Sequence, residues 1–397
     1  SRKASGLPWS TCRIEPTEAI TPGQRFPKLR DTLYDLHNQG QNDSILGNHV
    51  QEVPMAYFSD PSQINVGIIG YSPAFNMGRA HMSQAQKAGM TPTAVADLNP
   101  DLLAAAQEDF PGIKTYSDGN DLINDPDVNL VVLIIPHNMH ADFTIKCLNQ
   151  GKHVVSEKPF AITTQECDDM IAAAEKNGLM VSTYHNRHWD GCILEALDRV
   201  RGGAIGDVVR IEAHMGGYKK PGEWWRASKS ISGGILYDWG VHLLEYSLQL
   251  LDAEIAEVMG VSWNGFWANE SVWERDSNED EASAFVRMKN GTFINLRISS
   301  IDANPREGQI EIFGTKGVHI MSQGTWKIIT HDGEDRVVTE GENRKGEQWR
   351  FYQNVCDHLV KGDELIITPQ WARRPIHILD LAGRSSQQGR AIQATYR

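Results

Sequence analysis

Asp238 and His242 stand four residues apart in the run Gly233-Gly234-Ile235-Leu236-Tyr237-Asp238-Trp239-Gly240-Val241-His242. On a helix that spacing puts two side chains on one face, and a carboxylate beside an imidazole can orient and charge a general base. The paired glycines predict a backbone that passes close to something bulky. Far upstream, Gly151-Lys152-His153-Val154-Val155-Ser156-Glu157-Lys158-Pro159 closes an apolar strand with a lysine set before a proline. Brought to one cleft, the three groups suit removal of a proton from an alcohol. Lys158 would stabilise the developing alkoxide, and His242, supported by Asp238, would take the proton. A solvent-exposed lysine is the plain alternative for Lys158.

Other residues fit the two ligands such chemistry needs. A dinucleotide turn requires one glycine for the tight turn and another where its helix packs on the strand, roles open to Gly70 and Gly78. The intervening Tyr71–Met77 is about three residues longer than in GxGxxG and lacks the central glycine. Backbone N–H groups over Asn76, Met77 and Gly78 present a helix N-terminus to a pyrophosphate. Asp97, about 20 residues further on at a strand end, accepts from ribose hydroxyls and repels a 2′-phosphate, which favours NAD over NADP. Pro136, Asn138 and His140 follow the apolar run Leu130–Ile135 at the strand end where parallel sheets bind ligands. His140 reads equally as a helix cap. Glu157 balances Lys158 at the neighbouring strand end. For a sugar-like substrate, Tyr218, Trp225 and Arg226 supply stacking faces and hydroxyl-bonding groups, although Trp224 and Trp225 also read as core. Arg187 leaves the last strand of the first half at the same edge. His185 and His188 have helical spacing but no third ligand, so no metal is expected.

The elements that must position these residues alternate strand and helix from Ile64. Strands are predicted at Ile64–Ile69, Thr93–Ala96, Leu130–Ile135, His153–Ser156 and Leu179–Thr183, with a helix from about Gly78 and another capped by Thr163 and Glu166. This pattern describes a Rossmann dinucleotide-binding domain over residues 63–185. Residues 186–397 read as an α+β domain with an open, mostly antiparallel sheet built from Val208–His214, Ala282–Met288, Thr292–Ile298, Gln309–Phe313, Trp326–Thr330 and Arg336–Thr339. Helices are expected at Ile193–Val200 and, returning towards the first domain, from Pro375 to about Gly389. An open sheet face predicts a homo-oligomer, a dimer or tetramer. Residues 1–62 form a separate polar stretch, an arm or a surface tail, with one amphipathic stripe at Phe26, Leu29, Leu33 and Leu36.

The bulk properties narrow the partners. A formal net charge of −13 argues against nucleic acid or an anionic membrane surface. No apolar run approaches the ~18 residues of a membrane span. The five cysteines are scattered without a CxxC pair, which points to reduced thiols and a cytoplasmic protein. The opening Ser1-Arg2-Lys3 leaves export with a removed leader open.

Taken together, the chain from about Ile64 onward resembles the glucose–fructose oxidoreductase/inositol dehydrogenase (Gfo/Idh/MocA) family. The resemblance is carried by the strand–Gly–helix start, Asp97, the Gly151-Lys152-His153…Glu157-Lys158-Pro159 segment and the Gly233-Gly234…Asp238…Gly240…His242 segment. It implies a catalytic set of Lys158, Asp238 and His242 and NAD as cofactor, tightly bound in some relatives. The implied reaction is oxidation of a ring hydroxyl of a sugar, glycoside or cyclitol. Redox-neutral glycoside cleavage, sugar–sugar oxidoreduction and a non-catalytic nucleotide or sugar sensor are the alternatives. Two features depart from the family pattern, the long phosphate turn and Glu245 where an aspartate is usual.

Overall fold

The computed structural model describes residues 56–71, 76–251 and 253–396. The stripe at Phe26–Leu36, most of the expected arm and the middle of the long turn lie outside the described residues. Six parallel strands form the first sheet: β1 (Asn65–Ile69), β2 (Thr91–Ala96), β3 (Lys114–Tyr116), β4 (Leu130–Leu133), β5 (His153–Ser156) and β6 (Val181–Thr183). Their order is β3-β2-β1-β4-β5-β6. Because β1 pairs with both β2 and β4, the winding direction reverses there, and the crevice beyond the carboxyl ends of these strands is where ligands bind in such sheets. Every residue of β4 and β5 is buried. That is why β4 reads as a continuous apolar run rather than an alternating one.

Helices α1 (Met77–Lys87), α2 (Pro100–Asp109), α3 (Gly119–Asn124), α4 (His140–Asn149) and α5 (Thr164–Asn177) accompany the sheet. The expected capping box opens α5: Thr163 Oγ1 accepts from Glu166 N at 3.2 Å and the Glu166 carboxylate accepts from Thr163 N at 2.9 Å. Cys167, Met170 and Ala174 then carry the buried stripe of α5.

After α6 (Gly191–Arg201) the chain builds a nine-stranded sheet from β7 (Val208–Gly216), β8 (Ile255–Trp263), β9 (Glu281–Met288), β10 (Phe293–Ser299), β11 (Ile310–Gly314), β12 (Gly317–Met321), β13 (Thr325–Asp332), β14 (Asp335–Glu342) and β15 (Ile392–Gln393). The order is β14-β13-β12-β11-β7-β10-β9-β8-β15, with β7 and β10 parallel and the other neighbouring pairs antiparallel. Strict alternation in β9 and β10 buries Ala282, Ala284, Val286, Ile294, Leu296 and Ile298 on one face. On that side α8 (Gly240–Leu250) packs on β7 and β10; the short helix α7 (Lys229–Ser232) precedes it, with Asp238 in the turn between them and His242 in the first turn of α8.

Strands β8, β12 and β15 are not among those expected, and the helices of the C-terminal part differ from expectation as well. A further helix, α9 (Arg350–Lys361), sets Phe351, Tyr352, Val355 and Leu359 into the same buried cluster as Val66 and Ile68 of β1. The last helix, α10, spans Pro369–Gln388, so Pro375 lies inside it rather than at its start. Thr368 Oγ1 accepts from Trp371 N at 3.0 Å, and Pro369 follows at the first helical position, where a missing N–H costs nothing. This helix packs on α5, with Arg373 Nε donating to Asp168 Oδ1 at 2.7 Å.

Candidate active site

At the dinucleotide end the site is made of backbone. Gly70 follows β1 at φ +94°, and a Cβ there would stand 2.1 Å from the carbonyl oxygen of Ile134. A Cβ on Gly78 would stand 2.6 Å from the Tyr71 ring. Both positions therefore need glycine, one for the turn and one for close packing of α1 on its strand. Asn76 takes the left-handed conformation at φ 56°, and α1 starts without a side-chain cap, leaving first-turn N–H groups for an anion. Asp97 accepts from Tyr71 N at 2.7 Å and from Asn99 N at 2.9 Å. It thus holds the turn at the end of β2, and its carboxylate retains lone pairs for a ribose. These features fit a bound nicotinamide dinucleotide.

The other end is made of charged side chains. A cleft of about 390 Å³ is lined by Met77, Pro136, Glu157, Lys158, Arg187, Trp225, Arg226, Asp238 and His242, together with neighbours from both halves of the chain. Lys158, at the end of β5, donates to Asp238 Oδ1 at 2.7 Å and to the Asp238 carbonyl at 3.0 Å. Arg226 donates to the same Oδ1 at 2.6 Å. Burial works to raise the Asp238 carboxyl, but the Lys158 and Arg226 charges outweigh it and hold it below its ordinary value.

Asp238 consequently does not serve His242. It ends the short turn Ile235–Tyr237 ahead of α8, whereas His242 lies in the first turn of α8. The expected aspartate–histidine partnership is replaced by an aspartate–lysine–arginine cluster. Gly233 and Gly234, at φ 93° and 124°, make the close approach expected of them, Gly233 against the Tyr237 ring and Gly234 against the Glu279 carboxylate.

His242 is 5% exposed, and its Nδ1 is buried without a hydrogen-bond partner. Burial first, then the charges of Lys158, Arg187 and Arg226, hold its pKa well below the ordinary value. The ring is neutral at physiological pH, and Nε2 is the nitrogen that can meet a ligand in the cleft.

Two buried networks hold the cleft's walls. Glu157 Oε2 accepts from Lys158 N at 2.9 Å, while Oε1 lies 3.0 Å from His81 Nε2 on α1, whose Nδ1 is 2.6 Å from Tyr352 Oη. Burial raises the Glu157 carboxyl, yet the His81 contact and the Lys158 charge bring it below its usual value. Asp190 accepts from Arg187 at 2.9 Å and from Tyr246 Oη at 2.6 Å. The Arg187 guanidinium then lies 4.8 Å from the Trp239 ring centre, fixed where it faces the cleft.

Three expected ligand residues lie elsewhere. His140 is fully buried, its Nδ1 2.7 Å from the Pro159 carbonyl and its Nε2 3.0 Å from that of Ile135. Each ring nitrogen faces a backbone carbonyl, to one of which the neutral ring donates, so the residue sits between the two strand ends and outside the cleft lining. Asn138 points to solvent and does not line the cleft. Tyr218 is 57% exposed in a separate aromatic group, 6.0 Å from Phe266 and 5.8 Å from Trp267 between ring centres.

His137 is the residue that sequence reasoning passed over. It lines the cleft, packs edge-on against Trp225 at 4.7 Å, donates to the Ser232 carbonyl through Nδ1, and has its Nε2 buried without a partner. Its signal was its place directly after Pro136 at the end of the most apolar strand. Trp239, Tyr184 and Asn186 also line the cleft.

A switch-point crevice with a glycine-built turn beside a cluster of charged side chains fits an NAD-binding oxidoreductase. The chain belongs to the Gfo/Idh/MocA family: residues 64–185 match its "Oxidoreductase family, NAD-binding Rossmann fold" model and residues 193–319 its C-terminal domain model. The chain is 24% identical over 346 residues to the scyllo-inositol 2-dehydrogenase (NADP(+)) of Bacillus subtilis, covering 83% of this chain and 95% of that protein. It is 27% identical over 295 residues to the myo-inositol 2-dehydrogenase of Thermotoga maritima, covering 73% and 82%. Among solved structures, a levoglucosan dehydrogenase in complex with NADH and levoglucosan superposes with a TM-score of 0.71 at 20% identity, over 84% of this chain and all of that one. An NAD-binding protein from Listeria innocua gives a TM-score of 0.71 at 24% identity, over 84% and 97%.

Proposed function

We propose that this protein oxidises a ring carbinol of a cyclitol or sugar with NAD as acceptor. The observation that carries the reading is that Lys158 from one half of the chain and Arg226, Asp238 and His242 from the other line a single cleft. The inositol dehydrogenase relatives support a polyol of this class.

When bound, the nicotinamide supplies the acceptor for the hydride that leaves the carbinol carbon. Gly70, Asn76, Met77, Gly78 and Asp97 would hold the dinucleotide, with Pro136 and Glu157 nearer the reacting end. The neutral His242 ring takes the hydroxyl proton at Nε2. Lys158, held by Asp238 through the side chain and the carbonyl, keeps its ammonium aimed at the substrate oxygen and stabilises negative charge there. Asp238 orients the lysine, and Arg226 orients Asp238. Arg187 and Trp225 line the space for further hydroxyls. The Asp97 carboxylate disfavours a 2′-phosphate, although one relative is named for NADP(+).

Two further proposals accompany this. The nine-stranded sheet exposes Met259, Val261, Trp263 and Phe285 at alternate positions of adjacent strands, which supports self-association of two copies through that face. Light scattering of the full chain tests it, a monomer at micromolar concentration being the contrary result. Among the described residues no helix is long and apolar enough to cross a membrane, and the small-molecule substrate, together with buried free thiols, supports a cytoplasmic setting.

The function is tested by incubating the protein with inositols, sugars and glycosides and either NAD or NADP, following product mass and reduced-nicotinamide absorbance together. Oxidised product and reduced cofactor in equal amounts are expected, faster with NAD. Product without reduced cofactor would instead indicate the redox-neutral chemistry, and no product from any polyol overturns the proposal.

A further inference from the structure

The cleft gathers positive charge in a protein whose formal net charge is −13. Lys158, Arg187 and Arg226 line it against two carboxylates, Glu157 and Asp238. Lys158 and Arg226 share one oxygen of Asp238, so that trio keeps one positive charge over. Both Glu157 oxygens are engaged, one by His81 and one by the Lys158 N–H. Lys158, Arg187 and Arg226 all act on His242 as cations, so the proton acceptor sits in a positive field. Of the three, Arg187 is the most open: 33% of its side chain is exposed, against 13% for Lys158 and 20% for Arg226. Its Nη1 donates to Asp190 at 2.9 Å, and Asp190 also accepts from Tyr246 Oη and Gln348 Nε2. Neither Asp190, Tyr246 nor Gln348 lines the cleft, so the guanidinium is fixed from the protein side. A planar group with five N–H donors, held there through Nη1, keeps donors for a second planar anion. Trp239 lies 4.8 Å from that guanidinium and 5.6 Å from the His242 ring between centres. The arginine and the proton acceptor therefore share one indole as a neighbour.

We propose that the substrate is an acidic ring polyol whose carboxylate is recognised by Arg187, while the carbinol to be oxidised meets Lys158 and His242; this rests on the alcohol-oxidation reading above. A carboxylate matches the two-pronged edge of a guanidinium in a way that a hydroxyl does not. It also offsets the positive charge that a neutral sugar would leave uncompensated in a partly enclosed cleft. A surplus of one positive charge around Asp238 suits a monoanion, which favours a carboxylate over a phosphate dianion. The tryptophans Trp224, Trp225 and Trp239 of the lining offer apolar faces to the ring that carries it. The carboxylate takes no part in the bond changes: the hydride and the proton leave the carbinol as before.

The test pairs acids with neutral counterparts near neutral pH: D-glucuronate with D-glucose, D-galacturonate with D-galactose, and quinate with myo-inositol, with glucose 6-phosphate as the phosphate arm. Binding to protein saturated with NADH is read by calorimetry, and kcat/KM is measured with NAD. At least one acid should bind about tenfold to a hundredfold more tightly than its neutral counterpart. Arg187→Met should erase that preference, and Arg187→Lys, which keeps the charge without the fork, should restore part of it. A merely structural Arg187 would weaken acid and neutral ligands alike, so the readout is the ratio between them. Should the unpaired Asp190 keep Arg187→Met from folding, the double variant Arg187→Met/Asp190→Asn removes that charge and serves in its place. Neutral ligands that bind as tightly as every acid, or an acid preference that survives the loss of Arg187, overturn the proposal. Tighter binding of glucose 6-phosphate than of any carboxylate overturns it as well. An Arg187-dependent acid preference without turnover of any polyol leaves this inference standing and overturns the function reading instead.

Discussion

The two ends of the cleft are built from different materials. At the dinucleotide end the recognising groups are main-chain N–H groups and the absence of two Cβ atoms, at Gly70 and Gly78. At the reacting end they are side chains that fix one another, Lys158 and Arg226 on Asp238, and Arg187 on Asp190. A backbone site tolerates changes of spacing and side-chain identity around its glycines, because any residue supplies an N–H. A side-chain site does not, because each group takes its orientation and charge state from a particular neighbour. The long turn, which departs from GxGxxG, and the mutually fixed side chains at the other end both follow from this difference.

Substitutions that act on one end alone are the sharpest way to break the comparison. His242→Ala and Lys158→Ala should each lower kcat by about two to four orders of magnitude while leaving the affinity for NADH, read by fluorescence titration, within about threefold. A large loss of NADH affinity in either variant would mean that the two ends are not separable. Gly70→Ala should do the reverse. Its Cβ meets the Ile134 carbonyl at 2.1 Å with φ at +94°, and the strained backbone costs about 1–3 kcal/mol or more. The expected outcome is a lower melting temperature together with weakened NADH binding.

The same contrast explains what could be read from the sequence. The strand at His153–Ser156 matches its predicted ends, and the Thr163–Glu166 cap lies where expected, because burial on both faces and local capping leave local signatures. Lys158, Asp238 and His242 were visible as types and spacings, but their pairing was not. Whether Asp238 faces His242 or Lys158 depends on where the turn Ile235–Tyr237 ends, which is settled by tertiary contact. His140 and His137 were indistinguishable by spacing: only tertiary contact shows that His140 sits between the Pro159 and Ile135 carbonyls while His137 lines the cleft. Strand β8 escaped notice because Met259, Val261 and Trp263 place apolar residues on the exposed face, which erases the alternation. Helix α9 was legible in principle, since Phe351, Tyr352, Val355 and Leu359 form a clear stripe.

Smaller effects test the inner structure of each end. Arg226→Gln should cost roughly tenfold in kcat, since a charge-assisted bond to Asp238 is lost while Lys158 remains. Combined with Lys158→Ala it should add much less than a further tenfold, because both act through one carboxylate. Independent, fully additive losses would contradict the cluster. At the other end, Asp97→Ser should raise the preference for NADP over NAD by about tenfold without altering kcat.

The smallest effect concerns pH and separates a histidine beside the reacting end from one that only packs. Burial pulls the pKa of His185, 6.4 Å from His242 between ring centres, and of His319 in β12 to about 4, against an ordinary value near 6.5. Between those values the unfolded chain binds protons that the folded chain refuses, so stability must fall as pH drops from about 6.5 towards 4, by at most about 1.4 kcal/mol per pH unit for each such group. Asp238, Glu157 and Glu245 are held below their ordinary carboxyl values, so their contribution is present above the unfolded carboxyl pKa and is lost only as pH falls through lower values. Acid destabilisation above pH 5 therefore belongs to the histidines. His185→Phe and His319→Phe should flatten the melting-temperature profile over that range to a similar degree. Only the variant beside His242 should also change the pH dependence of kcat; an equal effect of His319→Phe on turnover would show that the profile reports global stability rather than the reacting end.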